Sequence, residues 1–179
     1  EASTGQIKLR YHGGLFAQTV SSAAVTATVA ETTIISTGVG TLTVPANGFA
    51  VGDSFAVSLG GTISAANNET IRIKVKSGSV ILADTLAITL PTLSAKSWKL
   101  TIDFTVRAIG GAGVASIVSN GQFSFANTGF DILGSDLGGI ENTNFDTTAS
   151  NTLDVTAQWG STNATNTITT TMFNIYKNY

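Results

Sequence analysis

The chain has no cysteine, one histidine and two prolines in 179 residues, and only 11% of its residues are charged. The missing thiols exclude disulfides and thiolate metal sites. A single imidazole leaves little material for a Ser/His/Asp triad, and a zinc site would have to rely mostly on carboxylates. The charged fraction is under half the roughly 25% of an ordinary soluble domain, so the surface must be built from Thr, Ser, Asn and Gly. Hydroxyls and amides keep such a surface wet but supply little repulsion between copies, which suits life inside a permanent assembly. A net charge of −2 and a pI near 5.2 give no reason to bind phosphate backbones or anionic membranes, so no nucleic-acid partner is expected. No uninterrupted apolar run approaches the ~20 residues of a helical membrane span, so no membrane insertion is expected. The first residues, Glu1-Ala2-Ser3-Thr4, have neither the basic nor the apolar region of a signal peptide.

What is present is β-forming. Hydrophobic residues make up 42% of the chain and mean hydropathy is +0.27, enough for a real core. A domain of this length buries about 70% of the surface its unfolded chain exposes. Period-two alternation dominates and no segment reads as a helix. From Ser97 to Ile109, Trp98, Leu100, Ile102, Phe104, Val106 and Ala108 share one face, with Lys99, Thr101, Asp103, Thr105 and Arg107 on the other. That pattern predicts a long strand with one buried and one wet face. Ile71, Ile73 and Val75 alternate in the same way with Arg72, Lys74 and Lys76. So do Phe55, Val57 and Leu59 with Ala56 and Ser58, and Leu153, Val155, Ala157 and Trp159 with Asp154, Thr156 and Gln158. Gln6–Tyr11 alternates too, and less regular strands are expected at Thr32–Ser36, Gly40–Val44, Ser79–Ala83, Leu86–Leu90, Val114–Phe125 and Asn166–Tyr176.

Gly13-Gly14, Gly60-Gly61, Ser77-Gly78, Gly110-Gly111 and Asn120-Gly121 read as turns or bulges, with a tight hairpin at Ser77-Gly78. About ten strands at this spacing predict an all-β, two-sheet antiparallel sandwich, with a jelly roll as the expected topology. Residues 1–30 are expected to form an N-terminal strand with Ser21–Ala30, a low-polarity run of Ala, Val and Thr, either as a packed strand or as an extended arm lying on a neighbouring subunit. Residues 31–179 are expected to form the sandwich domain. Ala126–Thr148, rich in Gly and Asn, reads as a long irregular connection.

Groups able to carry chemistry are few. His12 stands beside Gly13-Gly14 with no nucleophile motif around it, and reads as a turn or surface residue. Gly110-Gly111-Ala112-Gly113 has no following helix to hold a phosphate. Asp131, Asp136, Glu141 and Asp146 are candidate calcium ligands, but they lack the spacing of an EF-hand loop. Arg72, Lys74 and Lys76 form a basic stripe that reads as a solvated or inter-subunit sheet face rather than a nucleic-acid footprint. Trp98 and Trp159 lie on the apolar parity of their strands, which predicts core packing. Asn68-Glu69-Thr70 and Asn163-Ala164-Thr165 match the glycosylation triplet. The expectation is a chain without enzymatic activity, cofactor or resident metal.

Two stretches carry a resemblance. One runs from Thr41-Leu42-Thr43-Val44-Pro45-Ala46-Asn47 through Val51-Gly52-Asp53 to Gly60-Gly61-Thr62-Ile63-Ser64. The other runs from Asp146-Thr147-Thr148-Ala149-Ser150 through Leu153–Gly160 to Asn166-Thr167-Ile168-Thr169. With Trp98–Arg107 and Gly110–Gly113 between them, they resemble structural proteins of tailed and environmental bacteriophages, over roughly Gly40 to Tyr176. The resemblance implies a jelly-roll domain of the tail-fibre, head-fibre or capsid-decoration kind, located at the virion surface. It also implies a homo-oligomer, commonly a trimer, that contacts other virion proteins, and it supplies no catalytic residues. The competing expectation is a module that binds a host-surface glycan through exposed aromatics beside amides, with Tyr11, Phe130 and Tyr179 as candidates.

Overall fold

The structure, a computed structural model, describes residues 13–127, 131–137 and 140–178. The first strands are β1 (Gly13–Gln18), β2 (Val25–Thr26), β3 (Thr32–Thr33), β4 (Gly38–Gly40) and β5 (Thr43–Val44). The middle of the chain forms β6 (Ser54–Ala65), β7 (Glu69–Ser77), β8 (Val80–Asp84), β9 (Ile88–Leu90) and β10 (Leu93–Ala108). Then come β11 (Ser116–Ala126), β12 (Ile132–Asp136), β13 (Ile140–Asn142), β14 (Asn151–Trp159) and β15 (Thr167–Lys177). No helix occurs among the described residues, so none is long and apolar enough to cross a membrane.

The strands build two antiparallel sheets packed against each other as a β-sandwich. The nine-stranded sheet has the order β12-β11-β10-β6-β15-β1-β4, with β13 also on β11 and β2 also on β15. The six-stranded sheet has the order β3-β14-β7-β8, with β5 also on β14 and β9 also on β7. Four of the pairings are nested along the chain: β1 with β15, β3 with β14, β6 with β10, and β7 with β8. Successive pairs alternate between the large and the small sheet, so one long antiparallel ribbon is wound into two layers.

Alternation explains the burial. In β10, Trp98, Leu100, Ile102, Phe104 and Val106 are buried while Lys99, Thr101, Asp103 and Arg107 are exposed. In β7, Ile71, Ile73 and Val75 are wholly buried. These side chains meet Val155, Ala157 and Trp159 of β14 and Phe173 and Ile175 of β15 in one continuous core. Both tryptophans are core residues, as their parity predicts.

Three expectations need correction. Gly60-Gly61 and Asn120-Gly121, read as turns or bulges, lie inside β6 and β11; neither pair turns the chain, and of the two only Gly60-Gly61 stands at a bulge. Gly61 sits opposite the bulge between Thr170 and Met172 of β15, and a Cβ there would stand 1.9 Å from the Thr169 carbonyl oxygen. The same carbonyl accepts the Trp98 Nε1 hydrogen at 3.1 Å. A Cβ on Gly121 would stand 2.5 Å from the Thr101 carbonyl oxygen, so both glycines mark close backbone approach rather than chain reversal. Gly78, by contrast, does turn the chain: its φ of +58° lies between the paired ends Ser77 and Val80.

The second concerns Ser21–Ala30, where of the two readings, packed strand or inter-subunit arm, the strand is seen at Val25–Thr26. Residues 13–30 belong to their own sandwich. β1 lies between β15 and β4, Phe16 and Val25 are buried, and Val25 pairs with Ile168. Trp159 Nε1 donates to the Val25 carbonyl at 3.0 Å, which ties the middle of the Ser21–Ala30 run to its own sheet, while Ala23, Ala24, Val29 and Ala30 stay exposed. Gln6–Tyr11 and His12 lie outside the described residues. Third, the connection after Ala126 is not irregular throughout, because β12 and β13 both add to β11.

Candidate functional site: a cleft at one end of the sandwich

At one end of the sandwich the two sheets part around a cleft of about 290 Å³. Leu15, Phe55, Val57, Phe104, Ile117 and Ile175 of the large sheet form one wall. Val44, Leu82 and Leu153 of the small sheet face them. Two-residue β5 pairs only with the start of β14, at Asn151 and Thr152, and the chain then leaves at Pro45 to cross the gap. Along that crossing Phe49 is half-buried and packs edge-on against Phe55, with centroids 6.0 Å apart, and against Phe145, 5.3 Å apart. The cleft is therefore roofed by a loop and not by a strand. Exposed Thr41, Pro45 and Gly48 stand at its rim.

Few polar groups reach the cleft, and those identified are already matched. Asp53 is 5% exposed; its Oδ1 lies 2.7 Å from Lys177 Nζ and its Oδ2 accepts the Ala50 amide at 3.0 Å. Lys177 Nζ also lies 5.9 Å from the centre of the Phe55 ring. Ser77 donates to Asn151 Oδ1 at 2.7 Å, and the Asn151 amide nitrogen donates to the Asp146 and Ala149 carbonyls. The site thus offers apolar shape and a self-neutralised ion pair, which suits holding a molecule more than moving a proton.

The four acidic candidates are not assembled into a calcium loop. Asp131 and Asp136 flank or end β12, Glu141 lies in β13 and Asp146 follows it in the next turn. No group of three or more His, Cys, Asp or Glu side chains that could hold a metal exists among the described residues. Glu141 Oε1 accepts from Ser116 at 2.7 Å, and Oε2 is 3.8 Å from Arg107. Asp146 Oδ1 accepts the Thr148 hydroxyl and amide at 2.6 and 2.8 Å, and these bonds hold its carboxyl below the usual range.

The basic stripe is consumed in ion pairs on the outer face of the small sheet. Lys74 and Lys76 reach the two oxygens of Glu31 at 2.5 and 2.7 Å, and Thr156 donates to the same carboxylate. Hydrogen bonds from Lys74 and then Lys76 hold the Glu31 carboxyl down to about 2. Arg72 grips Asp84 through Nε and Nη2. Burial pushes the Asp84 carboxyl up, but the Arg72 and Leu86 hydrogen bonds outweigh it and leave the group below its ordinary value. Asp84 as a partner was readable in principle, since the β7–β8 hairpin sets Lys74 opposite Asp84, diagonal to Arg72. Glu31 was not, since 43 residues separate it from Lys74.

Tyr11, Phe130 and Tyr179 lie outside the described residues. Tyr176, not singled out from the sequence, is 41% exposed on the outer face of β15. Its signal was the alternation with inward Phe173 and Ile175. Of the glycosylation triplets, Asn68 is exposed in a turn, and Asn163 is exposed as well, its Oδ1 accepting the Thr165 amide and its Nδ2 donating to Glu69 Oε1. No family model matches the chain, and no curated protein matches it.

Proposed function

We propose that this chain is a structural subunit of jelly-roll type that acts by self-assembly and attachment at the exterior of a virus particle, as part of a fibre, spike or capsid decoration. The observation that carries the reading is the state of the large sheet's two lateral edges. Among the described residues, β12 pairs on one side only and exposes Ile132 at 74% and Leu133 at 42%. At the opposite edge β4, too, pairs on one side only among the described residues, and Val39 is 70% exposed. Open edges with apolar side chains invite pairing, and a chain with little charge does not repel it. A ring in which the β12 edge of one copy meets the β4 edge of the next satisfies both edges at once, and a trimer is the proposed closure.

The jelly-roll topology is supported by the nested order β1/β15, β3/β14, β6/β10 and β7/β8, since an eight-stranded jelly roll is such a ribbon wound into two sheets. The resemblance of Thr41–Ser64 and Asp146–Thr169 to bacteriophage structural proteins supplies the virion setting. Light scattering of the purified chain at micromolar concentration tests the assembly: a discrete oligomer is expected, and a well-behaved monomer would sink it. Mass spectrometry of purified particles tests the setting, with a fixed copy number relative to the main shell protein as the expected result.

A second reading, a glycan-binding adhesin module, is favoured by Tyr176. Its register neighbours Gly14 and Ala56 are small, which leaves the ring clear as a stacking surface for a sugar. Binding on a glycan array that is lost in Tyr176→Ala would support this reading over a purely structural role.

A further inference from the structure

We propose that the cleft between the sheets is a binding site for a small, uncharged, apolar molecule of about two fused rings or equivalent bulk. Size sets the upper bound. An apolar cavity of about 150 Å³ accommodates benzene, and this cleft offers about 290 Å³. Its walls are aliphatic and aromatic, with Leu15, Val57, Leu82, Leu153 and the Phe49–Phe55 pair facing one another, so water inside would find few partners.

Charge decides the class. The anion in the cleft's lining, Asp53, is neutralised by Lys177 at 2.7 Å, and its second oxygen is satisfied by the Ala50 amide at 3.0 Å. The lysine charge is therefore already committed. A carboxylate entering the cleft would have to compete with Asp53 or be buried without a partner, whereas a neutral ring loses only its contact with water. Entry is at the rim formed by Thr41, Pro45 and Gly48, where a loop rather than a paired strand closes the sandwich.

The test uses two probes of one shape, 2-naphthol and 2-naphthoate, titrated at neutral pH into the intact chain while probe fluorescence and thermal unfolding are followed. 2-Naphthol is expected to bind and raise the unfolding temperature, and 2-naphthoate to bind about tenfold more weakly or not at all. Leu153→Trp and Leu42→Trp, which fill the cleft from the β14 wall and from the loop, are each expected to abolish binding, while Ile132→Ala at the distant sheet edge leaves it intact. Methyl chemical shifts of the unsubstituted protein locate the probe even if a tryptophan variant fails to fold: Leu15, Val57 and Leu153 are expected to move. Absence of 2-naphthol binding, equal binding of the two probes, or shifts confined to residues outside the cleft would each overturn the proposal. So would intermolecular contacts showing that a second copy of the chain already fills the cleft.

Discussion

Thr170 is wholly buried, and its Oγ1 is the one buried side-chain polar atom without a hydrogen-bond partner among the described residues. Its backbone is well used: the amide donates to Ser22 Oγ at 2.9 Å and the carbonyl accepts from the Ser22 amide and from Gln18. Only the hydroxyl is stranded, so Thr170→Val removes a desolvated group without breaking a bond. A gain of about 1 kcal/mol is expected by urea denaturation, because an unsatisfied buried hydroxyl carries a desolvation cost of that order. Gly61 makes the opposite case. A methyl there would run into the Thr169 carbonyl, which is backbone and which also holds the Trp98 indole. Gly61→Ala should cost about 3 kcal/mol, through forced displacement of β15 at its bulge. Gly60-Gly61 reads in the sequence as punctuation because paired glycines usually mark turns. Its actual role depends on a carbonyl more than a hundred residues away in the chain, which no local pattern carries.

At the scale of the element, alternation over nine or more residues was a sufficient guide. β10 and β7 place every long apolar side chain as their period predicts, because a strand between two neighbours has only one way to bury a single face. Two- and three-residue strands such as β2 and β4 were harder to see, whereas β3 falls inside the strand expected at Thr32–Ser36. They are too short to show a period, and they exist because a longer strand beside them offers free backbone groups. β12 was missed for the same reason: its pairing with β11 arises from the partner and not from its own composition. The exposed edge of β12 carries a prediction of its own. Ile132→Lys is expected to weaken self-association in sedimentation or light scattering while changing monomer stability by no more than about 0.5 kcal/mol, since the side chain is 74% exposed and charge blunts an open edge. An assembly unaffected by the lysine would remove this edge from the interface.

For the whole molecule, Glu31 ties the N-terminal third to the small sheet. It bridges Lys74 and Lys76 of β7 and accepts from Thr156 of β14, while Ile34 just beyond it is fully buried. The carboxyl is held down to about 2 from an ordinary 4.5, so its folded form binds a proton less readily than the unfolded chain does. The stabilisation is complete above the unfolded value and is lost as pH falls from about 4.5 through about 2. Glu31→Gln should therefore lower the urea midpoint at neutral pH and make little difference near pH 2. A gap between the two proteins that persists undiminished in acid would show that the ion pairs are not its source.

The sequence by itself determined the β class, the buried faces of the long strands, the core placement of Trp98 and Trp159, and a surface made of hydroxyls and amides. Each follows from a local period or from composition, and both survive whatever the rest of the chain does. Only the tertiary structure decided that residues 13–30 belong to the sandwich, that the basic stripe is neutralised by Glu31 and Asp84, and that the acidic side chains of Asp131–Asp146 stay apart. The cleft is of the same kind, since its walls come from nine strands and its roof from loops. Such features depend on which distant segments the nested pairing brings together, and a pattern of period two says which face is buried but not what it is buried against.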